Sequence, residues 1–149
     1  MRAVLQRVSM ARVQVAGETV GEIADGLLIF LGVGGGDDEA AANYLAEKIA
    51  NMRIFEDDAG KMNKSLIDIA GGALVISQFT LYGDARRGRR PSFSNAAPLD
   101  IAENLYKYFS EKLAIYIPTV KNGIFGAEMK ISLVNEGPVT ILLDSSKNF

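Results

Sequence analysis

The sequence predicts an α/β fold of mixed strands with two main helices, in a single domain over residues 1–149. Three observations predict it. Between Ala3 and Val33, short runs of alternating or continuous apolar residues are separated by glycine turn signals. Two stretches, one after Asp37 and one after Leu99, carry apolar residues at helical spacing. Near the end, Met129, Ile131 and Leu133, then Val139, Ile141 and Leu143, recur at every second residue on either side of Gly137-Pro138.

The elements follow in order. Ala3 to Ser9 reads as a first strand and Arg12 to Ala16 as a second, with Val13 and Val15 alternating against Arg12 and Gln14. Gly17-Glu18 reads as a two-residue turn, and Thr19 to Ile23 as the strand that pairs back. Asp25-Gly26 signals another turn before Leu27 to Val33, a buried strand. Gly32-Val33-Gly34-Gly35-Gly36 invites a dinucleotide-binding reading, but the third glycine of that fingerprint would fall at Asp37. An acid at the start of a helix also repels a pyrophosphate, so the stretch reads as a flexible strand-to-helix loop.

Asp37, Asp38 and Glu39 suit the first turn of that helix, whose inner stripe is Ala41, Leu45, Ile49 and Met52. Glu56 to Lys61 is a solvated polar turn that lacks calcium-loop spacing. Ala73 to Ile76, an unbroken apolar run, fits a strand covered on both faces. Leu99 to Leu113 forms the second helix, with Ala102, Leu105, Phe109 and Leu113 inside and Tyr106 and Tyr108 as packing and boundary residues. The alternating end reads as a hairpin with its tip at Glu136 to Pro138. That register sets Leu133 opposite Ile141 and Ile131 opposite Leu143, with both sets facing one core. Pro138 has no N–H to give to a ladder, so a tip position suits it.

Composition excludes several kinds of chemistry. Apolar residues make up 48% and charged residues 23%, as in ordinary globular chains. With no cysteine, disulfides, thiolate nucleophiles and thiolate metal sites are ruled out. With no histidine, so are the Ser-His-Asp and Cys-His arrangements and any His-ligated metal. No metal or cofactor is expected. The net charge of −2 does not announce a nucleic-acid partner, so a local patch would have to supply one. Arg86-Arg87-Gly88-Arg89-Arg90 is the only such run, and by itself it reads as a solvated loop. The longest apolar run, Leu27 to Leu31, is far shorter than the roughly 20 residues of a membrane span, and the first residues lack a signal-peptide run. A cytoplasmic protein is expected.

Asn135-Glu136-Gly137-Pro138-Val139-Thr140, taken with Ser77-Gln78-Phe79-Thr80-Leu81, resembles the paired signature of the D-aminoacyl-tRNA deacylases. Glu136 stands where that family usually has Asp. Met62 to Leu66, Pro91-Ser92-Phe93 and Gly123 to Met129 are similar as well, so the resemblance runs from Arg7 to Thr140. It implies a three-layer β/β/α fold and a symmetric homodimer with composite active sites. It also implies a cis Gly137-Pro138 bond, inserted from the partner subunit, that tests the chirality of an amino acid esterified to tRNA. The implied reaction is hydrolysis of D-aminoacyl-tRNA to free D-amino acid and tRNA, with glycyl-tRNA mischarged on tRNA(Ala) as a further substrate.

The resemblance assigns Ser77, Phe125, Met129, Gly137 and Pro138 to substrate contact. Phe125 and Met129 would line the pocket for the terminal adenosine, although Met129 shares the apolar parity of Ile131 and suits a core equally. Asn135 and Arg7 would support the motif; for Arg7 the equal alternative is a strand-edge arginine facing water. Arg86, Arg87, Arg89 and Arg90 become candidate tRNA phosphate contacts.

An ester hydrolase lacking His and Cys needs donors aimed where the carbonyl oxygen gains charge, and losing one such donor costs about 10²–10³ in rate. Backbone N–H groups at a strand end suit this task. Gln78, Phe79 and Thr80 occupy such a place, and the resemblance puts the scissile ester beside them. As a nucleophile, Thr80 would need a base, for which Asp84 is the nearest acid in sequence. Alternatively, the 2′-hydroxyl of the terminal adenosine orients the attacking water and Thr80 is polar support. Two rivals stand beside this: a non-catalytic RNA-binding domain using the arginine run, and a small-ester hydrolase with Thr80 as nucleophile.

Overall fold

The computed structural model describes residues 1–149. Its centre is β1 (Arg2–Val15), a single 14-residue strand rather than the two short ones expected. After the tight turn at Ala16-Gly17, β2 (Glu18–Ile23) pairs antiparallel with the second half of β1, Val15 opposite Glu18. The turn sits one residue earlier than the sequence predicts. Ala16 and Gly17 both have positive φ, the requirement of a primed hairpin turn, and alanine gives no hint of accepting it. β3 (Gly26–Gly32) pairs antiparallel with the first half of β1.

α1 (Glu39–Asn51) starts at Asp38, whose Oδ1 accepts the Ala41 N–H at 3.0 Å. Its buried face is Ala42, Leu45, Ala46, Ile49 and Ala50, with Ala41 and Met52 at the margin of the expected stripe. A small hairpin, β4 (Phe55–Glu56) and β5 (Met62–Lys64), frames the polar turn. There Asp57 Oδ1 accepts from the N–H groups of Ala59 and Lys61, each at 2.9 Å. β6 (Gly72–Ser77) returns parallel to β3. α2 (Leu99–Tyr116) buries the four predicted residues together with Tyr106 and leads to β7 (Val120–Asn122), parallel to β6.

The expected terminal hairpin is not formed. Lys130–Asp144 is one 15-residue strand, β8, antiparallel to β1 along nearly its whole length. Leu133 faces Ala11, Ile131 faces Val13, Ile141 faces Leu5 and Leu143 faces Ala3. Alternation cannot name its partner strand, and here a neighbour more than a hundred residues away takes the place of the hairpin mate. The two apolar sets also serve different cores. β3 and β6, buried on both faces, separate them. Leu27, Ile29, Leu31, Ala73 and Val75 pack with both helices, and Val139, Ile141 and Leu143 join them. Leu28, Leu74 and Ile76 pack on the other face against Val8, Val13 and Ile23, joined by Met129, Ile131 and Leu133. No helix is long and apolar enough to cross a membrane.

Candidate active site

β6 ends at Ser77 beside the end of β3, where the Gln78 N–H donates to the Leu31 carbonyl at 2.8 Å. The chain then tightens into a 3₁₀ turn, Phe79–Tyr82, closed by Leu81 N–H to the Gln78 carbonyl and Gly83 N–H to the Thr80 carbonyl. The opening N–H groups of such a turn, those of Phe79 and Thr80, find no acceptor within it. Neither donates to the surrounding loops or to a side chain. Of the three expected backbone donors, Gln78 has thus committed its N–H to the sheet, while Phe79 and Thr80 keep theirs.

This strand end opens on a cleft of about 500 Å³, lined by 16 residues of which 13 are hydrophobic. Ser77, Gln78, Phe79, Phe125 and Met129 all line it. Met129 lines the cleft and also packs against the second core. Ala96, Ala97 and Ala102 contribute little bulk and leave the space open. No carboxylate, amine, guanidinium, imidazole or thiol lines the cleft. Its one phenol, Tyr106, donates to the Val75 carbonyl at 2.8 Å, and burial raises its pKa, so it does not serve as a base.

Thr80 lies outside the lining, its hydroxyl accepting from Gln78 Nε2 at 2.5 Å. Asp84 is not its base. The Asp84 carboxylate accepts from Arg86 Nε at 2.9 Å and Nη2 at 2.7 Å, and this fork holds its carboxyl well below the usual range. Arg86, Arg87, Arg89 and Arg90 are exposed on this loop and do not line the cleft.

Gly137 and Pro138 lie in β8 at a bulge, where residues 136–139 stand opposite Arg7 alone, between the pairs Val8–Asn135 and Gln6–Thr140. The Gly137-Pro138 bond is cis. Arg7 does not face water: it is only 6% exposed, and donates through Nε to the Glu136 carbonyl at 3.0 Å and through Nη1 to the Ile54 carbonyl at 2.7 Å. Asn135, Gly137 and Pro138 are exposed and do not line the cleft of their own chain. One chain therefore gathers Ser77 to Phe79, Phe125 and Met129 at one place and Arg7, Asn135, Gly137 and Pro138 at another.

A family model for D-Tyr-tRNA(Tyr) deacylase matches residues 4–144. The chain belongs to this deacylase family. A D-aminoacyl-tRNA deacylase of Thermosipho africanus is 59% identical over 149 residues, covering 100% of both chains. One of Roseiflexus sp. is 61% identical over 98% of this chain and 94% of its own. A solved chain described as c-Myc DNA Unwinding Element Binding Protein superposes with TM-score 0.92 at 41% identity, over 97% of this chain and 98% of the other. Another, described as a probable eukaryotic D-amino acid tRNA deacylase, has TM-score 0.83 at 17% identity over 95% and 97%, and shares the fold.

As a member of the deacylase family the chain is a hydrolase, and the cleft's composition bears on how. Sequence reasoning missed the wall made by Leu31, Val33, Ala97 and Tyr106. Nothing in their spacing marks them, because β3, the loop before α2 and α2 itself meet only in the folded chain. The one available hint is Ala96-Ala97, two small residues just before a helix.

Proposed function

We propose that this deacylase hydrolyses the ester joining a D-amino acid to the 3′-oxygen of tRNA, releasing both, in the cytoplasm where tRNA is charged. One observation carries the reading: the cleft at residues 77–79 holds no acid or base and ends at two unspent backbone donors. In the reaction, water adds to the ester carbonyl and the N–H groups of Phe79 and Thr80 receive the developing oxyanion. The substrate's own 2′-hydroxyl orients the water and relays a proton to the departing 3′-oxygen, which replaces the missing histidine. Phe125 and Met129 flank the terminal adenosine, and the exposed arginines of 86–90 meet tRNA phosphates.

The active unit is a symmetric homodimer of three-layer β/β/α subunits, in which the Gly137-Pro138 segment of a second copy completes each cleft. Main-chain carbonyls of that segment accept from the substrate ammonium and leave an L side chain nowhere to go. Exclusion of this kind discriminates more strongly than a missing contact does. Glycine has no side chain to exclude, so glycyl-tRNA mischarged on tRNA(Ala) is also cleared. The fork binding Asp84 to Arg86 disfavours Thr80 as a nucleophile with Asp84 as its base.

The test is deacylation of matched D- and L-tyrosyl-tRNA, with a third substrate whose terminal ribose is 2′-deoxy. Release from the D-substrate alone is expected, with none from its deoxy form. Comparable release from the L-substrate would remove the chiral gate, and full activity on the deoxy substrate would remove the substrate-assisted step.

A further inference from the structure

Gly32, Gly34 and Asp37, the remnant of a failed nucleotide-binding pattern, meet the far end of the turn that carries Phe79 and Thr80. Tyr82 closes that turn, and its ring lies where a side chain on Gly34 would be, while Gly32 makes room for the start of the turn itself. A Cβ on Gly34 would come within 2.7 Å of Tyr82 Cε1, Cζ and Oη, while one on Gly32 would first meet the Gln78 carbonyl oxygen at 3.0 Å and Leu81 Cβ at 3.1 Å. The Tyr82 hydroxyl donates to Asp37 Oδ2 at 3.1 Å, and the same oxygen accepts the Gly34 N–H at 2.6 Å. The other oxygen of Asp37 meets the Met1 amine. Arg2 covers the Tyr82 ring, its guanidinium carbon 4.5 Å from the centroid, and donates through Nη1 to the Leu81 carbonyl at 3.0 Å. Burial and the Asp37 charge push the Tyr82 hydroxyl well above the ordinary phenol pKa, so it stays a donor across neutral pH.

We propose that Tyr82, seated on Gly34 and tied to Asp37 and Arg2, is a positioning residue that aims the Phe79 and Thr80 N–H groups at the reacting carbonyl. This rests on the oxyanion role proposed above. The start of the turn is fixed to the sheet by Gln78, and its internal bonds set its curvature but not its orientation. Its far end is held from outside by Tyr82 and by Arg2 on Leu81. Donors displaced by a fraction of an ångström still admit the substrate but meet the transition-state charge poorly, so the loss falls on kcat rather than KM.

Tyr82→Phe keeps the ring and removes the tether, while Tyr82→Leu removes both. With D-tyrosyl-tRNA, kcat is expected to fall about ten-fold in Tyr82→Phe and further in Tyr82→Leu, within the roughly 10²–10³ of a fully lost donor. KM should stay within about two-fold, as expected when only transition-state binding is lost. Amide exchange at Leu81 and Gly83 should quicken in both variants, while the β6 amides keep their protection and report an intact fold. Unchanged kcat in Tyr82→Phe, a loss confined to KM, or unaltered exchange at Leu81 and Gly83 each overturns the inference. An inactive wild type would sink the deacylase reading itself; an active wild type matched by Tyr82→Phe sinks only the positioning role.

Discussion

Arg7 illustrates what a single side chain decides. Its guanidinium is buried between two carbonyls 82 positions apart in the chain (136 − 54), those of Ile54 and Glu136, and its planar fork serves both at once. Arg7→Ala leaves the buried Ile54 carbonyl unpaired while exposed Glu136 turns to water, and a destabilisation of about 2 kcal/mol is expected from denaturant unfolding. A loss under about 0.5 kcal/mol would mean the fork is ornamental. Gly137 is the companion case. Its φ of +121° lies where L side chains rarely go, and a Cβ there would meet Arg7 Nη2 at 2.8 Å. Gly137→Ala is expected to cost about 1–3 kcal/mol of stability. Since the segment is the proposed gate, the variant should also lose discrimination between D- and L-tyrosyl-tRNA; wild-type stability and selectivity together would contradict both expectations.

At the scale of elements, the helices were the most legible parts. The α2 stripe Ala102, Leu105, Phe109 and Leu113 is buried as its spacing predicts, because a 3.6-residue period needs no knowledge of what covers it. Of the three acids expected in the first turn of α1, Glu39 is there and Asp38 caps it, while Asp37 lies outside the helix and holds Gly34, Tyr82 and the Met1 amine instead. Asp38→Ala removes one accepted N–H and should lower stability by about 1 kcal/mol, seen as a drop of a few degrees in Tm. The strands were less legible. β1 looked like two strands because its pattern breaks near Ser9 and Met10, yet β8 follows it across the break with two register shifts. Those same shifts set Gly137 and Pro138 in a bulge beside Arg7 rather than at a hairpin tip.

For the whole molecule, acid stability follows from its carboxylates. Burial pushes the Asp144 carboxyl up, but the Ser146 N–H, Asn148 and Arg2 outweigh it and hold it below its usual range; Arg86 does the same for Asp84. The unfolded chain therefore takes up protons first, near pH 3.8, and the stabilisation present above that pH is lost as pH falls through the lower folded values. Tm is expected to hold from neutral pH to about 4 and to decline below it; a decline beginning above about pH 5 would implicate other groups. The proposed composite site predicts complementation. Chains carrying Ala97→Trp in the cleft, mixed equally with Gly137→Ala chains, should regain D-selective release at about a quarter of the sites, because each mixed dimer rebuilds one intact pair. No recovery after subunit exchange would argue that each chain works alone.

By itself, the sequence determined the helix faces, the α/β class, the absence of histidine and cysteine chemistry, and the two signatures that mark the family. These are local: they depend on residue identity and on spacing over a few positions. Only the tertiary structure decided that β8 pairs with β1, that Arg7 lies inside, that Gln78 gives its N–H to Leu31 while Phe79 and Thr80 keep theirs, and that Tyr82 fills the space left by Gly34. Each is a contact between segments distant in the chain. A period of two or of 3.6 residues says which side of an element is apolar, but carries no record of the surface that side will meet.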